Sequence, residues 1–543
     1  MRILYLCLTI LLFVKCTTNT EVDLIVYNAK VYTVDSTFTT VEAFAVKNGI
    51  FIDLGSTEHI LKRYTAKEKI DAHQKAIYPG FYDAHGHTFM LANQLEQVDL
   101  TGCRSPKEMM ERVLAYRKKN PDQKWIVGAG WDQSLWEDKN FPTRDSLDKY
   151  FPNTPVFLNR IDFHAALVNE EALRISQIDT AKYVEGGKIL TDSLGKTTGV
   201  LIDNAMALVS KYIPEGNEKN ILQKLRRAQD SLLSVGITSV VDAGLSEEEL
   251  ELLKKFYQAD SLKIRNYAML YAEPHNIDKY LKDGIYESDR LNIKAIKLMA
   301  DGALGSRGAC MLSKYSDDST KGFLLHAVSE FEESLSKLKN SPFQVAIHAI
   351  GDSANRVILD LYGKYQGGDK RWRIEHCQVV NEADFQKFRN YKVLPSIQPT
   401  HATSDMNWLI QRIGEERAKG AYAYKELLNW YGKVAIGTDF PIEHFNPLYS
   451  FHAAVARQDN RNLPTGGFQM ENALSRIDAL RGMTIWAAYS CFQEKKRGSI
   501  EKGKDADFII LDQDIMLAKN ESLRDIKVLR TVIGGETVYK KMQ

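Results

Sequence analysis

Three side chains near residue 85 are spaced to hold a metal ion. Asp83, His85 and His87 occupy alternate positions at the end of an apolar, β-type stretch. Because side chains alternate between the two faces of a strand, these three share one face, and both imidazoles can reach the same ion. Imidazole is a common metal ligand, but a lone His-x-His also occurs in structural settings. The motif alone leaves a metal site and a structural histidine pair both open.

Further ligand-type side chains end four later β-type stretches. They are Lys297, His348, His376 and Asp439. If these stretches are strands of one parallel barrel, their C-terminal ends meet at the face where barrel active sites lie. A buried salt bridge for Asp439 or a core hydrogen bond for His376 is the structural alternative. The convergence of so many ligand types at one face favours a metal centre.

Apolar stretches separated by helical patterns predict the barrel. This alternation is typical of parallel strands joined by crossover helices, and eight strands close a parallel barrel. The eight stretches are AIYPGFYDAHGH, TSVVDAG, IRNYAMLYA, IKAIKLMAD, FQVAIHAIG, WRIEHCQ, VLPSIQP and VAIGTDF. Two more, KWIVGAGW and PVFLNRID, are assigned to an insertion at about residues 93–214, which is long enough to form a lid. We predict an α/β fold with a (β/α)8 TIM-like barrel over residues 79–490.

Both ends of the chain show short alternating stretches that are typical of β-structure. They include DLIVYNAKVYTVD and AFAVKNGIFIDLG near the start, and GKDADFIILDQD and VLRTVIGGETVYK near the end. Asn48-Gly49 and Gly534-Gly535 are hairpin turn signals. We predict one small β-sandwich domain built from both termini, residues 17–78 and 491–543.

The sequence pattern of residues 1–16 predicts an export signal. The apolar stretch from Ile3 to Val14 follows a basic residue and is too short for a permanent membrane span. Cys16 resembles the lipid-attachment cysteine of bacterial lipoproteins, although Lys15 departs from that pattern. We expect an exported protein of the periplasm or a lipoprotein of the cell envelope. An ordinary cleaved signal with an incidental Cys16 is the alternative.

Charge and cysteine usage narrow the class of partner. The chain has 71 Lys and Arg against 70 Asp and Glu, a net charge of +1. Because the charges are balanced, the protein has no strong electrostatic field of one sign that would favour nucleic acid. We therefore expect a small-molecule substrate and no nucleic-acid partner. The thiols that follow the signal are too scattered for a disulfide scaffold or a zinc ribbon, so we expect them to be buried: Cys103, Cys310, Cys377 and Cys491. A homodimer is left open.

The chain resembles the amidohydrolase superfamily over nearly its whole mature length. The motifs PGFYDAHGH, IKLMADGALGSRGA, VAIHAIGD, RIEHCQ, AIGTDFP and GKDADFIILD stand in the expected order. The insertion stretches GAGWDQSLWEDKNFPTRDSLD and NRIDFHAALVNEEAL look like the branch called amidohydrolase family three, which includes N-substituted formamide deformylases.

The resemblance implies a centre of two divalent metal ions. By it, His85, His87 and Asp439 hold one ion, His348 and His376 hold the second, and Lys297 bridges both as a carbamate. Desolvation favours the neutral lysine amine, which is the form that adds carbon dioxide. Zinc fits these donors, with iron and manganese as alternatives. If Lys297 is unmodified, a single metal on the histidines and Asp439 is the alternative.

The implied reaction is the hydrolysis of a non-peptide carbon–nitrogen bond by hydroxide formed at the metals. Asp439 is expected to accept the proton of the water and return it to the leaving nitrogen. An N-acyl or N-formyl amine is the leading substrate class. A mononuclear deaminase or isomerase, an esterase, and a non-catalytic envelope binding protein are the alternatives. The complete ligand set disfavours the last of these.

Candidate substrate contacts lie around the predicted ligands. They are Trp131 and His164 in the insertion, Arg307 on a Gly-rich loop, Asp352, and His401 as an oxyanion stabiliser. Packing for Trp131 and loop anchoring for Arg307 are the structural alternatives. Asp352 and Glu375 are also candidates to orient the ligands.

Overall fold

The computed structural model describes residues 19–178, 183–214, 217–272 and 277–542. The predicted export signal and Cys16 lie outside these residues. No helix within the described ranges has both the length and the apolar character needed to cross a bilayer. All four scattered cysteines are buried and unpaired, as expected.

A parallel barrel forms the centre of the molecule and confirms the predicted fold. Each strand pairs in parallel with the next one along the chain. In chain order the strands are Phe81–Gly86, Ile237–Leu245, Arg265–Tyr271, Leu291–Met299, Gln344–Ala349, Arg373–His376, Leu394–Ile397 and Ala435–Ile436. A short strand, Tyr286–Glu287, adds antiparallel to the fourth.

The first and eighth strands approach each other closely enough to lock their ends together. The N–H of Asp439 donates to the carbonyl of His85 over 2.7 Å. The Asp83 carboxylate accepts the N–H of Thr438 over 3.0 Å and its hydroxyl over 2.7 Å. Gly437 permits this approach, since a Cβ there would lie 2.4 Å from the N of His85. His85 and Asp439 are therefore held side by side by the backbone.

Helices cover the outside of the barrel. The helix Glu247–Gln258 shows why they form: Ser246 and Glu249 make a capping box at its start, and it buries Leu250, Leu253 and Phe256 along one face. The helices that follow the barrel strands are Thr88–Gln94, Glu218–Ser234, Glu247–Gln258, Ile277–Asp283, Val328–Leu338, Asp352–Tyr365, Phe385–Asn390, Pro399–Asp405, Leu409–Ala418, Tyr424–Tyr431, Pro447–Ala456, Arg476–Gly482 and Ile485–Ser490.

Two further sheets form the β-domain. One contains Thr20–Tyr27, Ala43–Lys47, Ile50–Gly55 and Tyr64–Asp71, with the helix Thr57–Arg63 beside it. The other joins both termini and contains Lys30–Tyr32, Thr40–Val41, Ala76–Pro79, Phe508–Leu511, Val528–Ile533 and Glu536–Lys540. The rings of Phe44 and Phe508 lie 5.0 Å apart, so aromatic packing joins the two sheets.

The insertion after the first barrel strand has a core of its own. Its six-stranded sheet contains Val98–Asp99, Ile126–Trp131, Val156–Arg160, Ala165–Val168, Gly187–Thr191 and Thr197–Asp203. Its helices are Pro106–Lys119, Asp145–Tyr150, Glu170–Ser176 and Ala207–Ser210. The segments KWIVGAGW and PVFLNRID thus supply strands to the insertion and not to the barrel.

Candidate active site

The six predicted ligands meet at one end of the barrel. The first, fourth, fifth, sixth and eighth strands bring them there: His85, His87, Lys297, His348, His376 and Asp439. All six line a cavity of about 1370 Å³, and all are buried except His87, which is partly exposed. His376 and Asp439 have positive φ angles, 77° and 62°, a conformation that non-glycine residues adopt mainly where the surrounding fold requires it.

The shortest distances within the set surround Asp439. Ligand atoms of His85, His376 and Asp439 all lie within 4.8 Å of one another. The Asp439 Oδ1 atom is 3.2 Å from Nε2 of His87 and 3.6 Å from Nε2 of His85, yet neither contact has hydrogen-bond geometry. The ring centroid of His348 lies 4.6 Å from that of His376. Side chains from four strand ends thus form one cluster.

The hydrogen bond of His85 fixes which of its nitrogens is free. Its Nδ1 lies 2.6 Å from Oε2 of Glu375, a buried carboxylate whose pKa is held well below its usual value, because Arg373 and His85 outweigh the effect of burial. Since an ionised carboxylate only accepts, Nδ1 carries the proton and Nε2 presents a lone pair. That lone pair faces the Asp439 carboxylate, another acceptor. Two acceptors that face each other in this way could hold a cation between them.

Of the other two buried histidines in the predicted ligand set, His376 follows the same logic, and His348 has an unpaired ring nitrogen. His376 donates from Nδ1 to Oε1 of Gln398 over 2.9 Å, which leaves its Nε2 as the acceptor. Nε2 of His348 is buried without a hydrogen-bond partner, and the nearest carboxylate oxygen in an ion-pair contact, on Asp301, is 3.7 Å away. Hydrogen bonds to one ring nitrogen that orient the other are typical of histidines that bind metals.

Protonation states at the site suit a bound cation. Burial lowers the pKa of His348 and His376 well below the usual value, and lowers that of His85 to about 4, so these imidazoles are neutral at pH 7. Burial also lowers the pKa of Lys297 to about 8. For Asp439, burial acts to raise the pKa, but the neighbouring imidazoles outweigh it and hold the pKa well below the usual value. Neutral imidazoles and an ionised carboxylate are the forms that coordinate a metal.

A second carboxylate contacts the Asp439 side of the site through His401. The Nε2 atom of His401 lies 3.0 Å from Oδ2 of Asp439, and its Nδ1 lies 3.2 Å from Oε1 of Glu443. Burial acts to lower the pKa of His401, but these two carboxylates raise it well above the usual value. Both ring nitrogens are engaged, so His401 is held as a charged partner of Asp439.

Two buried aspartates near the ligands support the backbone. Asp83 accepts the N–H of His85 and both donors of Thr438, and burial raises its pKa to about 7. Asp301 accepts the N–H groups of Cys310, Ile350 and Gly351, and burial likewise raises its pKa to about 7. Neither residue lines the cavity. Both position the strands that carry the ligands.

The predicted substrate contacts divide into two groups. His164 and His401 line the cavity. The other three are absent from its lining among the described residues and take structural positions. Trp131 is buried in the insertion, where its Nε1 donates to the carbonyl of Leu158 over 2.7 Å. Arg307 pairs with Asp317 over 3.0 Å, and Asp352 accepts the N–H of Leu312 over 2.8 Å.

Several partners of these residues were not singled out from the sequence. They are Gln398, which orients His376, Glu443, which pairs with His401, and Asp203, which contacts His164. Each lies at least 22 positions from the side chain that it contacts, so no local spacing links the pair. Glu375 differs because it directly precedes His376, and it does orient a ligand, His85.

The family comparison agrees with this geometry. The model of the amidohydrolase family matches residues 68–539. The chain belongs to the amidohydrolase family. Protein LONG AFTER FAR-RED 3 of Arabidopsis thaliana is similar, with 32% identity over 95% of this chain and 91% of that protein. N-substituted formamide deformylase of Arthrobacter pascens is 26% identical over 96% of this amidohydrolase and 98% of that enzyme.

A solved structure agrees as well. The crystal structure of an uncharacterized metal-dependent hydrolase from Pyrococcus furiosus has 33% identity and a TM-score of 0.71, covering 91% of this amidohydrolase and 99% of that chain. The expected superfamily and its family-three branch are thereby confirmed.

Proposed function

We propose that this amidohydrolase hydrolyses a non-peptide carbon–nitrogen bond, with an N-acyl or N-formyl amine as substrate class. One observation carries the proposal: Nε2 of His85, Nε2 of His348 and Oδ1 of Asp439 are buried, lack hydrogen-bond partners and belong to one cluster. Unpaired buried polar atoms are costly, and their convergence is the expected signature of a metal centre.

The proposed ligand set follows from these atoms. His85, His87 and Asp439 would hold one divalent ion, His348 and His376 a second, and Lys297 would contact both as a carbamate. Its pKa of about 8 supports this role, since the neutral amine is the form that adds carbon dioxide and releases a proton. Zinc is the first candidate because imidazole and carboxylate donors suit it.

Such ions, when bound, lower the pKa of water and polarise a carbonyl group. The remaining work falls to residues of the chain. Asp439 accepts a proton from the attacking water and returns it to the leaving nitrogen, which makes the amine a viable leaving group. His401 holds Oδ2 of Asp439 at 3.0 Å, so the carboxylate keeps one orientation while Oδ1 faces the histidines. Glu443 holds the far side of His401 in turn.

The substrate class is supported by similarity and by space. The relative from Arthrobacter pascens is named an N-substituted formamide deformylase, and the match covers nearly all of both chains. The cavity of about 1370 Å³ exceeds the ~300–1,000 Å³ typical of small-molecule sites, so an amine with a sizeable substituent fits.

A mononuclear deaminase is a second candidate, because His85, His376 and Asp439 by themselves bring three ligand atoms within 4.8 Å, enough for one ion. This alternative predicts one equivalent of metal and an unmodified Lys297. Electron density at Lys297, together with the metal content, separates the two candidates.

Export remains part of the proposal. Residues 1–16 support it through their short apolar stretch, and Cys16 would carry a lipid anchor if the protein is a lipoprotein. Cell fractionation of the full chain beside Cys16→Ser tests both points: release of the variant from the membrane fraction supports an anchor. Equal distribution of the two forms contradicts it. Light scattering of the purified protein decides whether it is a homodimer.

The deciding experiment combines metal analysis with turnover. The purified protein is measured for metal by mass spectrometry and assayed against N-formyl amines, N-acyl amines, lactams and esters, beside Asp439→Asn. About two equivalents of metal, amide turnover and a loss of ~10³-fold or more in kcat for the variant are expected. A folded, metal-free wild type would support a binding protein. Turnover of esters alone would support an esterase.

A further inference from the structure

We infer that His164, held by Asp203, is a catalytic residue that the insertion contributes to the barrel site, where its Nε2 hydrogen-bonds to the amide group of the substrate. The inference rests on the proposed function and adds a residue and a role to it. All six metal ligands come from the barrel, whereas His164 and Asp203 come from the insertion.

The pair is fixed by backbone pairing. His164 directly precedes the strand Ala165–Val168, and Asp203 ends the strand Thr197–Asp203. These strands run antiparallel with Ala165 opposite Ile202, and the N–H of Asp203 donates to the carbonyl of His164 over 3.0 Å. Their side chains therefore meet next to the end of a ladder, which places the imidazole more rigidly than a free loop would.

The side-chain contact sets the direction of the ring. Nδ1 of His164 lies 2.6 Å from Oδ1 of Asp203, whose side chain is 1% exposed. Within the described ranges, no hydrogen-bond partner is found for Nε2 of His164, and the residue lines the cavity. One nitrogen is thus bound by the insertion while the other remains available to a ligand.

The position of the ring brings it to the metal ligands. Its centroid lies 5.2 Å from that of His348. Asp203 packs against the loop that follows the Lys297 strand, because a Cβ on Gly302 would lie only 2.5 Å from its Oδ2 atom. Oδ2 is itself buried without a partner. A glycine at 302 lets the insertion dock this closely, so His164 stands beside the ligand cluster.

This arrangement resembles other catalytic pairs in which a carboxylate orients an imidazole whose second nitrogen acts on the substrate. Asp203 then acts as a positioning residue, since it contacts His164 but does not itself line the cavity. The insertion therefore does more than shape the pocket, because it supplies the imidazole of His164 beside the ligands of the barrel.

Substitutions that mimic one nitrogen at a time test the role. Glutamine places its amide near the position of Nε2, whereas asparagine places its amide near that of Nδ1. We expect His164→Ala and His164→Asn to lower kcat by ~10²-fold or more, with little change in KM, and His164→Gln to recover part of the loss. Asp203→Asn should lower kcat less than His164→Ala. Gly302→Ala should do the same by displacing Asp203.

Matched controls separate this role from a structural one. His59 also pairs with a carboxylate, Asp53, over 3.1 Å, but lies in the β-domain, so His59→Ala should keep wild-type kinetics. Metal content is measured for every variant and should stay at the wild-type value, and the melting temperature of the His164 variants should stay at the wild-type value as well. Equal loss in the glutamine and asparagine variants, or wild-type kcat in His164→Ala, would overturn the inference.

A binding measurement keeps the result independent of turnover. The NMR spectrum of 15N-histidine-labelled protein contains an Nε2 resonance of His164, which is assigned because it is missing from His164→Ala. Addition of N-methylformamide should shift this resonance. A wild type that turns over no amide but shows this shift would refute the proposed function and keep His164 as an amide contact. Amide turnover without the shift, and unchanged in His164→Ala, would refute the inference alone.

Discussion

Two buried polar clusters of this amidohydrolase differ in how their charges are matched. Where the barrel meets the β-domain, Arg265 donates to Asp507 from Nε over 2.8 Å and from a terminal nitrogen over 3.2 Å. The N–H of Gly534 adds a third bond to the same carboxylate, over 2.7 Å. At the strand ends, Oδ1 of Asp439 faces Nε2 of His85 across 3.6 Å without a hydrogen bond.

The difference shows what each cluster is for. A buried ion pair that is complete within the chain joins two parts of the fold. Each buried polar atom without a partner costs about 1–3 kcal/mol, so three in one cluster are a sizeable cost that the surrounding fold must carry. A ligand that fills these contacts recovers this cost. We call the Arg265–Asp507 pair the matched cluster, and the group around His85 and Asp439 the unmatched cluster. The matched cluster should therefore govern stability, and the unmatched cluster should govern metal binding and turnover.

The largest effect on stability is expected for Asp507→Asn. It leaves the Arg265 guanidinium buried without its main counter-charge, and such a change typically costs about 3–5 kcal/mol. Urea unfolding of the metal-free protein measures the loss. Asp289→Asn is the matched control, because Asp289 contacts the same arginine over 3.1 Å with a side chain that is 75% exposed. The control should lose less than about 1 kcal/mol. Equal losses would show that burial does not decide the value of the pair.

Removal of metal should have the next largest effect, and only through the unmatched cluster. A ligand present at 100 times its dissociation constant stabilises the folded state by about 2.7 kcal/mol. Chelation should therefore lower the melting temperature, and added zinc should restore it. The same shift is expected in Asp507→Asn, since the two clusters share no residue. A chelator that leaves the melting temperature unchanged would contradict a metal centre.

Gln398→Met tests how finely the unmatched cluster is oriented. The substitution removes the acceptor of the His376 Nδ1 proton without changing charge, and loss of such an orienting partner typically weakens metal binding by ~10- to 100-fold. Competition with a chelator of known affinity measures the change. Gln366→Met, which removes hydrogen bonds to the backbone carbonyls of Tyr391 and Lys392 outside the cavity, should bind metal as the wild type does.

The sequence predicted the clusters unequally. His85, His87, Lys297, His348, His376 and Asp439 could be named because each ends a recognisable strand, and the (β/α)8 fold brings strand ends together. The eight strands themselves were visible as apolar runs between helical patterns. The local patterns of the strands were therefore enough to predict that the six ligands lie close together in the barrel.

Residues outside this repeat were harder to predict. Trp131 lies in a segment that resembles the amidohydrolase family, but its side chain is buried in the core of the insertion and does not line the cavity. The contacts of His401 with Glu443 and of His164 with Asp203 depend on how loops and the insertion dock. No periodicity in the chain reports such docking. The pairing of Arg265 with Asp507 spans 242 positions and was invisible for the same reason.

The smallest effect is expected from pH, and it again separates the clusters. Burial acts to raise the pKa of Asp507, but Arg265 outweighs it, so the folded-state pKa lies below that of the unfolded chain. Between those two values the unfolded state binds more protons, and the free energy of unfolding falls as the pH falls through that window. The contribution is full above the pKa of the unfolded chain, which is about 4, and each tenfold difference in proton affinity between the two states is worth about 1.4 kcal/mol.

Melting curves of the metal-free protein between pH 5 and the lowest pH at which it stays folded measure this slope. Asp507→Asn should show a shallower slope, whereas Asp439→Asn tests the carboxylate at the unmatched cluster under the same conditions. Asp439 also has a lowered pKa, held there by imidazoles. These imidazoles have lowered pKa values, so they too lower the free energy of unfolding as the pH falls. Asp439 opposes that effect because its charge raises the pKa of His85 and His376, so Asp439→Asn removes one pH-dependent contribution and enlarges another. The slope contributed by Asp439 should therefore be offset, and a change as large as that in Asp507→Asn would contradict the contrast between the two clusters.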